Sequence, residues 1–274
     1  MRELLLMASC HVAVAGCASA EAMSVPQQPV TSAAVETTTS ELGFFPGEAM
    51  QFEVKLSGMT AGEASLAVGE PGLVDGRKAI VVKSRAETAG AAKLVKNIVD
   101  EQSTVIDVDT GRPIQLDTLV TMGDKVSTAQ AKFTGSQSNV TYTKPGETEQ
   151  HTYHVDFGKL VVFDSHSAMA QLRGWHVKPG TTKEVNVVGG RRLWRVDVHF
   201  ISTETIGTST GNRKAVHLSG EAYRLKPNLQ LEQAKAARTF DVWISDDADR
   251  VPLKMSAHTE LGDVEMELTD YSRP

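Results

Sequence analysis

An alternation of apolar and polar residues with a period of two runs through most of this chain, beginning at Glu48. Met50, Phe52 and Val54 would share one face of an extended strand, with polar and charged residues on the other face. The same alternation returns in residues 193–201, 239–245, 251–259 and 264–269. Successive side chains of a strand point to opposite faces of a sheet, so these segments predict strands that each bury one face.

Turn-forming Gly, Pro, Asn and Asp residues separate these segments at intervals of roughly 8–12 residues, which is typical of an all-β sandwich or barrel. Residues 91–98 are ambiguous between helix and strand. Residues 164–174 predict a short helix that Asp164 or Ser165 caps and Gly174 ends. The absence of a strand–helix–strand alternation argues against a parallel nucleotide-binding sheet. We therefore predict an all-β chain with a large antiparallel curved sheet, as a sandwich or an open barrel, and one short helix near 164–174.

The first 17 residues predict an export signal. Residues 4–15 form an apolar stretch too short to span a bilayer, and Val14-Ala15-Gly16-Cys17 follows. Small residues before a cysteine resemble a bacterial lipobox, in which the thiol is acylated and the cysteine becomes the mature N-terminus. The alternative is a plain signal peptide that is cleaved near residues 18–20. We favour lipidation of Cys17, because acylation removes a thiol that would be a liability in an oxidising compartment.

The only two cysteines, Cys10 and Cys17, exclude a disulfide framework or a cysteine-based zinc site in the rest of the chain. Residues 18–43 contain no aromatic residue and are rich in Ala, Ser, Thr and Pro, which predicts a flexible tether. The predicted organisation is a lipoprotein signal peptide (1–17), a tether (18–43) and a single β-rich domain (44–274). The formal net charge of −6 argues against a nucleic-acid partner.

Residues 243–254 form a distinctive segment, in which a Trp-bearing strand ends in a Ser-Asp-Asp turn and an apolar–Pro pair opens the next strand. The segment resembles the closing motif of a bacterial envelope family known as domain of unknown function 3108. Its turn residues here are Asp246, Asp247, Asp249 and Pro252. Further motifs follow in the family's order, namely residues 45–48, 109–113 and the Leu-Arg pair at 172–173. The resemblance covers about residues 44–270 and implies an exported, antiparallel β-rich domain, without implying an activity.

Three patterns resemble chemical sites but fit simpler structural roles. Residues 207–211 match G-x-S-x-G, yet a strand pattern follows where a nucleophile elbow needs a helix. His151 and His154 would point to opposite faces of a strand, which disfavours a shared metal ion. The aspartates of residues 246–249 are followed by Arg-Val-Pro, which cannot supply the further oxygen ligands of a calcium loop. We expect no enzymatic activity, no metal and no cofactor.

The function that we expect is that of a non-enzymatic, membrane-anchored envelope lipoprotein that binds or carries an apolar ligand or lipid in a β-lined cavity. Large barrels and half-barrels often enclose such cavities. Trp175, Trp194, Phe240 and Trp243 are the candidate lining residues, and the alternative is that they fill a solid core. A second hypothesis is a scaffold without a cavity that binds an envelope protein partner. Ala18, where some inner-membrane lipoproteins carry Asp, favours the periplasmic face of the outer membrane.

Overall fold

The computed structural model describes residues 42–209, 211–233, 236–259 and 262–274. Residues 1–41, which contain the predicted signal, Cys17 and most of the predicted tether, lie outside the described residues. The strands are β1 (Ala49–Leu56), β2 (Met59–Val68), β3 (Gly72–Val74), β4 (Arg77–Thr88), β5 (Ile98–Asp107), β6 (Pro113–Met122), β7 (Lys125–Phe133), β8 (Gln137–Thr143), β9 (Gln150–Asp156), β10 (Val162–Phe163), β11 (Thr182–Gly189), β12 (Arg192–Thr208), β13 (Gly211–Arg224), β14 (Arg238–Ser245), β15 (Pro252–Thr259) and β16 (Gly262–Ser272). The helices are α1 (Gly90–Val95) and α2 (Ser165–Arg173).

All 16 of these strands belong to one sheet, whose order is β10-β11-β12-β13-β14-β15-β16-β1-β2-β4-β5-β6-β7-β8-β9, with β3 paired to β4 beside this path. Neighbours pair antiparallel, except for the short parallel pair of β10 and β11. The predicted large antiparallel sheet is thus confirmed. Because the sheet is continuous, the architecture is an open barrel and not a two-sheet sandwich.

Tight hairpin turns set the registers of the first strands. Ser57 and Gly58, between β1 and β2, have φ angles of 49° and 81°, and Asp75 and Gly76, between β3 and β4, have φ angles of 50° and 76°. Positive φ at both central residues is the geometry of a type I′ turn, whose twist matches that of the flanking strands. Both turns contain a glycine, one of the turn-forming residue types that separate the strand patterns in the sequence.

The sheet curls until its two ends meet through side chains. Val155 of β9, Val162 of β10 and Val188 of β11 belong to one buried cluster. The guanidinium of Arg191 lies 5.2 Å from the centre of the Tyr142 ring, and its Nη1 donates to the tyrosine hydroxyl at 3.1 Å. Backbone pairing does not join β9 to β10, so the barrel remains open.

The predicted helix near 164–174 is confirmed as α2, and its Ala170 and Leu172 side chains are buried in different parts of the core. The ambiguous segment 91–98 contains a second helix, α1, and the first residue of β5. Among the described residues, no helix combines the length and the apolar character needed to cross a membrane.

Packing of the domain begins before Phe44. Leu42, which the sequence assigned to the tether, is buried in a cluster with Phe44 and Ile80. The backbone of Gly43 passes so close to α2 that an added Cβ would lie 2.0 Å from the carbonyl oxygen of Ala170, and its φ of 72° also favours glycine. Leu42 and Gly43 are therefore part of the folded domain.

Candidate functional site

Helix α2 is positioned by a buried capping box at its N-terminus. The Asp164 carboxylate accepts a hydrogen bond from the backbone N–H of Ser167 at 2.9 Å, and the Ser167 hydroxyl accepts from the backbone N–H of Asp164 at 2.9 Å. Both residues are fully buried. The exchange satisfies two N–H groups that a helix start leaves without partners, so the helix can begin inside the protein.

The C-terminal end of α2 is held by a buried ion pair between Arg173 and Glu48. Arg173 Nη1 and Nη2 donate to the two Glu48 carboxylate oxygens at 2.6 and 2.9 Å, and neither side chain is exposed to solvent. Arg173 also donates through Nε to the carbonyl of Arg250 and through Nη2 to that of Asp249, both at 2.9 Å. We call these four residues the arginine clasp. It joins the segment before β1, helix α2 and the β14–β15 turn.

The Asp-rich family turn packs onto this clasp. One carboxylate oxygen of Asp247 accepts from Ser245 Oγ at 2.6 Å and from the backbone N–H groups of Asp249 and Arg250. The other pairs with Arg213 at 2.8 Å. Burial would raise the pKa of Asp247, but the hydrogen bonds from Ser245 and Arg213 outweigh it and lower the pKa. The arrangement stabilises a turn, as the sequence analysis favoured over a calcium loop.

The other residues of this motif have separate structural positions. The Asp249 carboxylate pairs with Arg273 at 2.6 Å, and the backbone N–H of Asp246 donates to the Lys214 carbonyl. Pro252 opens β15 and lines the cavity described next. Asp246, Asp249 and Pro252 therefore contact three different parts of the fold.

A cavity of about 280 Å³ lies between α2 and the inner face of the curved sheet. Most of its wall is apolar and comes from strands on both sides of the barrel and from α2. Among the lining side chains are Phe52, Leu66, Met169, Val196, Val242 and Met266. For comparison, a dry apolar cavity of about 150 Å³ suffices to bind benzene. This cavity is the candidate functional site.

One part of the cavity wall is polar, where the first turn of α2 faces the middle of β4 and β5. His166 Nε2 lies 2.9 Å from Ser84 Oγ, and His166 Nδ1 lies 2.7 Å from Thr104 Oγ1. The Thr104 hydroxyl donates its proton to Asp164 Oδ2 at 2.5 Å. Ser84 and His166 both line the cavity, whereas Thr104 and Asp164 lie behind them.

This network indicates the tautomer of His166. Because the single proton of the Thr104 hydroxyl is donated to Asp164, Thr104 accepts the Nδ1–H of His166. Nε2 is then the acceptor and faces the Ser84 hydroxyl. Burial lowers the pKa of His166, more than the nearby Asp164 charge raises it, and thereby favours the neutral ring. The pair can form hydrogen bonds with a polar atom of a bound molecule within a largely apolar cavity.

Of the four aromatic residues that the sequence analysis predicted to line a cavity, two line it and two do not. Trp194 and Phe240 line the cavity. Trp243 lies outside the cavity lining, because three positions separate it from Phe240 on β14 and alternate residues share a face. It stacks on His217 at 4.4 Å and donates to Glu204. Trp175 follows α2 and packs against the core beside Val198 and Leu218, again outside the cavity lining.

The remaining patterns form ordinary parts of the sheet. Gly207 and Thr208 end β12, Gly211 begins β13, and the Ser209 hydroxyl donates to the carbonyl of Leu268 at 2.8 Å. His151 pairs with Glu147, and His154 contacts Asn139. Within the described ranges, no group of three His, Cys, Asp or Glu side chains is placed to hold a metal ion.

The sequence reasoning missed the polar part of the wall. On β5 the buried residues alternate without interruption, but three of them, Asp100, Gln102 and Thr104, are polar. The alternation therefore lacked the apolar signal that identifies a buried face. The capping pattern at Asp164 was the signal that could have indicated this polar wall. A helix that starts with buried polar groups needs polar partners on the surface against which it packs.

One family model and several solved structures are similar to this chain. The family model described as "Protein of unknown function (DUF3108)" matches residues 51–269. A beta-barrel-like protein of domain of unknown function DUF1849 from Brucella abortus is similar with a TM-score of 0.55 and 10% identity, over 83% of this chain and 97% of that one. The hypothetical lipoprotein YmcC from Escherichia coli has a TM-score of 0.31 and 9% identity, over 87% of this chain and 91% of that one. No curated protein matches this chain.

Proposed function

This chain belongs to the DUF3108 family, and because that description carries no activity we propose a function from the cavity: the protein binds the apolar chain of a lipid-like molecule between α2 and the curved sheet. The observation that carries the proposal is the cavity of about 280 Å³ with its largely apolar wall. Ligand pockets for larger molecules span about 300–1,000 Å³. The volume therefore favours a single chain over a lipid with several acyl chains.

The bound molecule is held or carried without chemical change, and its polar end lies at Ser84 and His166. These two groups sit on the wall of the cavity and are joined at 2.9 Å. A neutral histidine acceptor beside a hydroxyl suits an uncharged hydroxyl head, since a carboxylate there would face the charge of Asp164 behind His166.

The domain works at the cell envelope, held by an acylated Cys17 at the periplasmic face of the outer membrane. The lipobox sequence and Ala18 support this placement. Two or more acyl chains, at about 0.8 kcal/mol per buried methylene, would anchor it stably. A Cys17→Ser variant should leave the membrane fraction after a high-salt wash. Retention of the variant in the washed membranes to the same extent as the parent would refute the anchor.

Tryptophan quenching tests the cavity directly, because one of the three tryptophans, Trp194, lines it. A fatty alcohol brominated at its chain end should quench the fluorescence of the full chain that carries Cys17→Ser. Trp194→Phe should remove most of the quenching. Quenching that persists unchanged in the Trp194→Phe variant would place the ligand elsewhere and refute the proposal.

A cavity-filling substitution supplies the second arm of this experiment. Ala222 is buried, lines the cavity and belongs to β13, so Ala222→Phe should fill the space and abolish binding. Ala67→Phe adds the same group on an exposed position of β2 and should bind normally. Lengthening the alcohol should tighten Kd by about fourfold per methylene until the cavity is full. Normal binding by Ala222→Phe would contradict the proposal.

The polar end is tested with a matched pair of ligands. Ser84→Ala should weaken binding of a fatty alcohol by about fivefold, the value of one net hydrogen bond, and leave binding of the alkane of equal length unchanged. Equal effects on both ligands would refute the placement of the head group. If neither ligand binds and crosslinking in native envelopes captures one stoichiometric protein, the scaffold hypothesis replaces this one.

A further inference from the structure

Helix α1 carries the most exposed large apolar side chains of the described residues. Leu94 and Val95 are 89% and 86% exposed, and none of the helix residues is buried. Met59, at the start of β2, is 71% exposed. Helix α1 lies against β2, where the backbone N–H of Ala89 donates to the carbonyl of Ala61 at 3.0 Å. Exposed apolar residues that occur singly need no explanation, but a group of three on adjoining elements does.

The charges on α1 and directly after it are positive, whereas on the β2 side Glu53 accepts a hydrogen bond from Thr60, next to Met59. Lys93 lies in the last turn of α1, Lys96 follows it, and the first turn has no acidic residue. The β6–β7 turn adjoins them, because the backbone N–H of Gly123 donates to the carbonyl of Asn97. That turn adds one residue of each sign, Asp124 and Lys125, which cancel. We call Met59, Leu94 and Val95 with their two flanking lysines the α1 tip.

The α1 tip is fastened to residues that also line the cavity. The Thr88 hydroxyl donates to the carbonyl of Lys96 at 3.0 Å and accepts from the backbone N–H of Ile98 at 3.0 Å. Thr88 and Ala61 are both lining residues. The tip therefore stands at the end of the barrel where the wall of the cavity is formed by the start of β2 and the end of β4.

We propose that the α1 tip inserts into the surface of an anionic lipid bilayer. An apolar group next to lysines is the composition of segments that lie at the boundary between head groups and acyl chains, where the lysines meet anionic lipid. A protein partner would need about 800 Å² on each side, far more than three side chains provide. The proposal is independent of the cavity ligand, because vesicle binding requires only the outer surface of the tip.

Vesicle sedimentation tests the proposal on the full chain with Cys17→Ser, so that no acyl anchor contributes. The protein should bind vesicles of equal parts phosphatidylglycerol and phosphatidylcholine more tightly than vesicles of phosphatidylcholine alone. Leu94→Ser with Val95→Ser should weaken binding by about tenfold or more, since the variant has no large apolar side chains at these positions to bury in the bilayer. Replacing each lysine by Gln should weaken binding to the anionic vesicles by about fivefold.

The control is a double variant at two other exposed apolar positions, Leu73→Ser with Ile201→Ser, which are 48% and 50% exposed on β3 and β12. It should bind vesicles as the parent does. The proposal is overturned if the control loses as much binding as the Leu94 and Val95 variant, or if that variant binds normally. It is also overturned if sedimentation velocity shows a dimer of the parent that this variant lacks, because a second copy would then cover the tip.

Discussion

Replacing Glu48 by Gln should destabilise the fold strongly, because the substitution leaves the charge of Arg173 buried without its partner. The Glu48 carboxylate accepts two hydrogen bonds from Arg173, at 2.6 and 2.9 Å, and a third from the backbone N–H of Phe45 at 3.0 Å. An amide of the same shape keeps one acceptor oxygen but turns an N–H₂ group toward the guanidinium. We expect a loss of about 3–5 kcal/mol in the free energy of unfolding, from the cost of an uncompensated buried charge.

The magnitude is large because both side chains are completely buried. The surface pair of Arg85 and Glu101 provides a matched control: its distance of 2.5 Å is similar, but its side chains are 44% and 43% exposed. Glu101→Gln should cost less than about 1 kcal/mol, since water solvates the remaining charge. Urea denaturation followed by circular dichroism gives both values. Equal losses for the two variants would refute the reasoning that burial sets the energy of the clasp.

Three further predictions concern single groups. Burial lowers the pKa of His166, so on acidification the histidine of the unfolded chain takes up a proton near its ordinary pKa of about 6.5, before that of the folded protein does. The free energy of unfolding should therefore fall below that pH, by at most about 1.4 kcal/mol per pH unit. His166→Gln should flatten that slope in denaturation series at several pH values. Gly220→Ala would place a Cβ 2.2 Å from the Phe240 ring, so it should cost about 1–3 kcal/mol by overpacking, whereas Gly207→Ala, with its nearest contact at 3.6 Å, should cost less in the same thermal unfolding assay. Burial, followed by nearby carboxylates, raises the pKa of Tyr271 to about 12, and a hydrogen bond to Glu221 also raises the pKa of Tyr223. Tyr271→Phe should therefore remove one late-ionising tyrosine from an absorbance titration and leave that of Tyr223, and an unchanged late phase in this variant would contradict the assignment.

The strands could be predicted wherever one face is apolar and the other is polar. Residues 193–201 show that pattern, and they lie within β12. The pattern failed on β5, because its inward positions include Asp100 and Thr104. Thr104 is buried with its hydroxyl hydrogen-bonded to Asp164 in the capping box of α2, about sixty residues later in the chain. No local window of the sequence contains that information.

The candidate cavity residues show a second limit of sequence reasoning. Phe240 and Trp243 were proposed together, although their spacing of three positions on one strand already separates them onto opposite faces. Trp194 can be assigned to the cavity only from the tertiary structure, because the curvature of the sheet places β11–β14 across from β1 and β2. Whether aromatic side chains fill a core or border a space depends on the curvature of the sheet, which side-chain periodicity does not specify.

The sequence by itself determined the β-rich class, the positions of the tight turns, the single well-capped helix and the family. These features depend on side chains that are neighbours in the chain, so the period of the pattern and the turn chemistry suffice to identify them. The tertiary structure alone decided that the family motifs around Glu48, Arg173 and Asp249 meet in one buried clasp, since 125 residues separate the first two. The tertiary structure also determined that the open barrel contains a cavity, because packing between distant strands sets how much space is left inside.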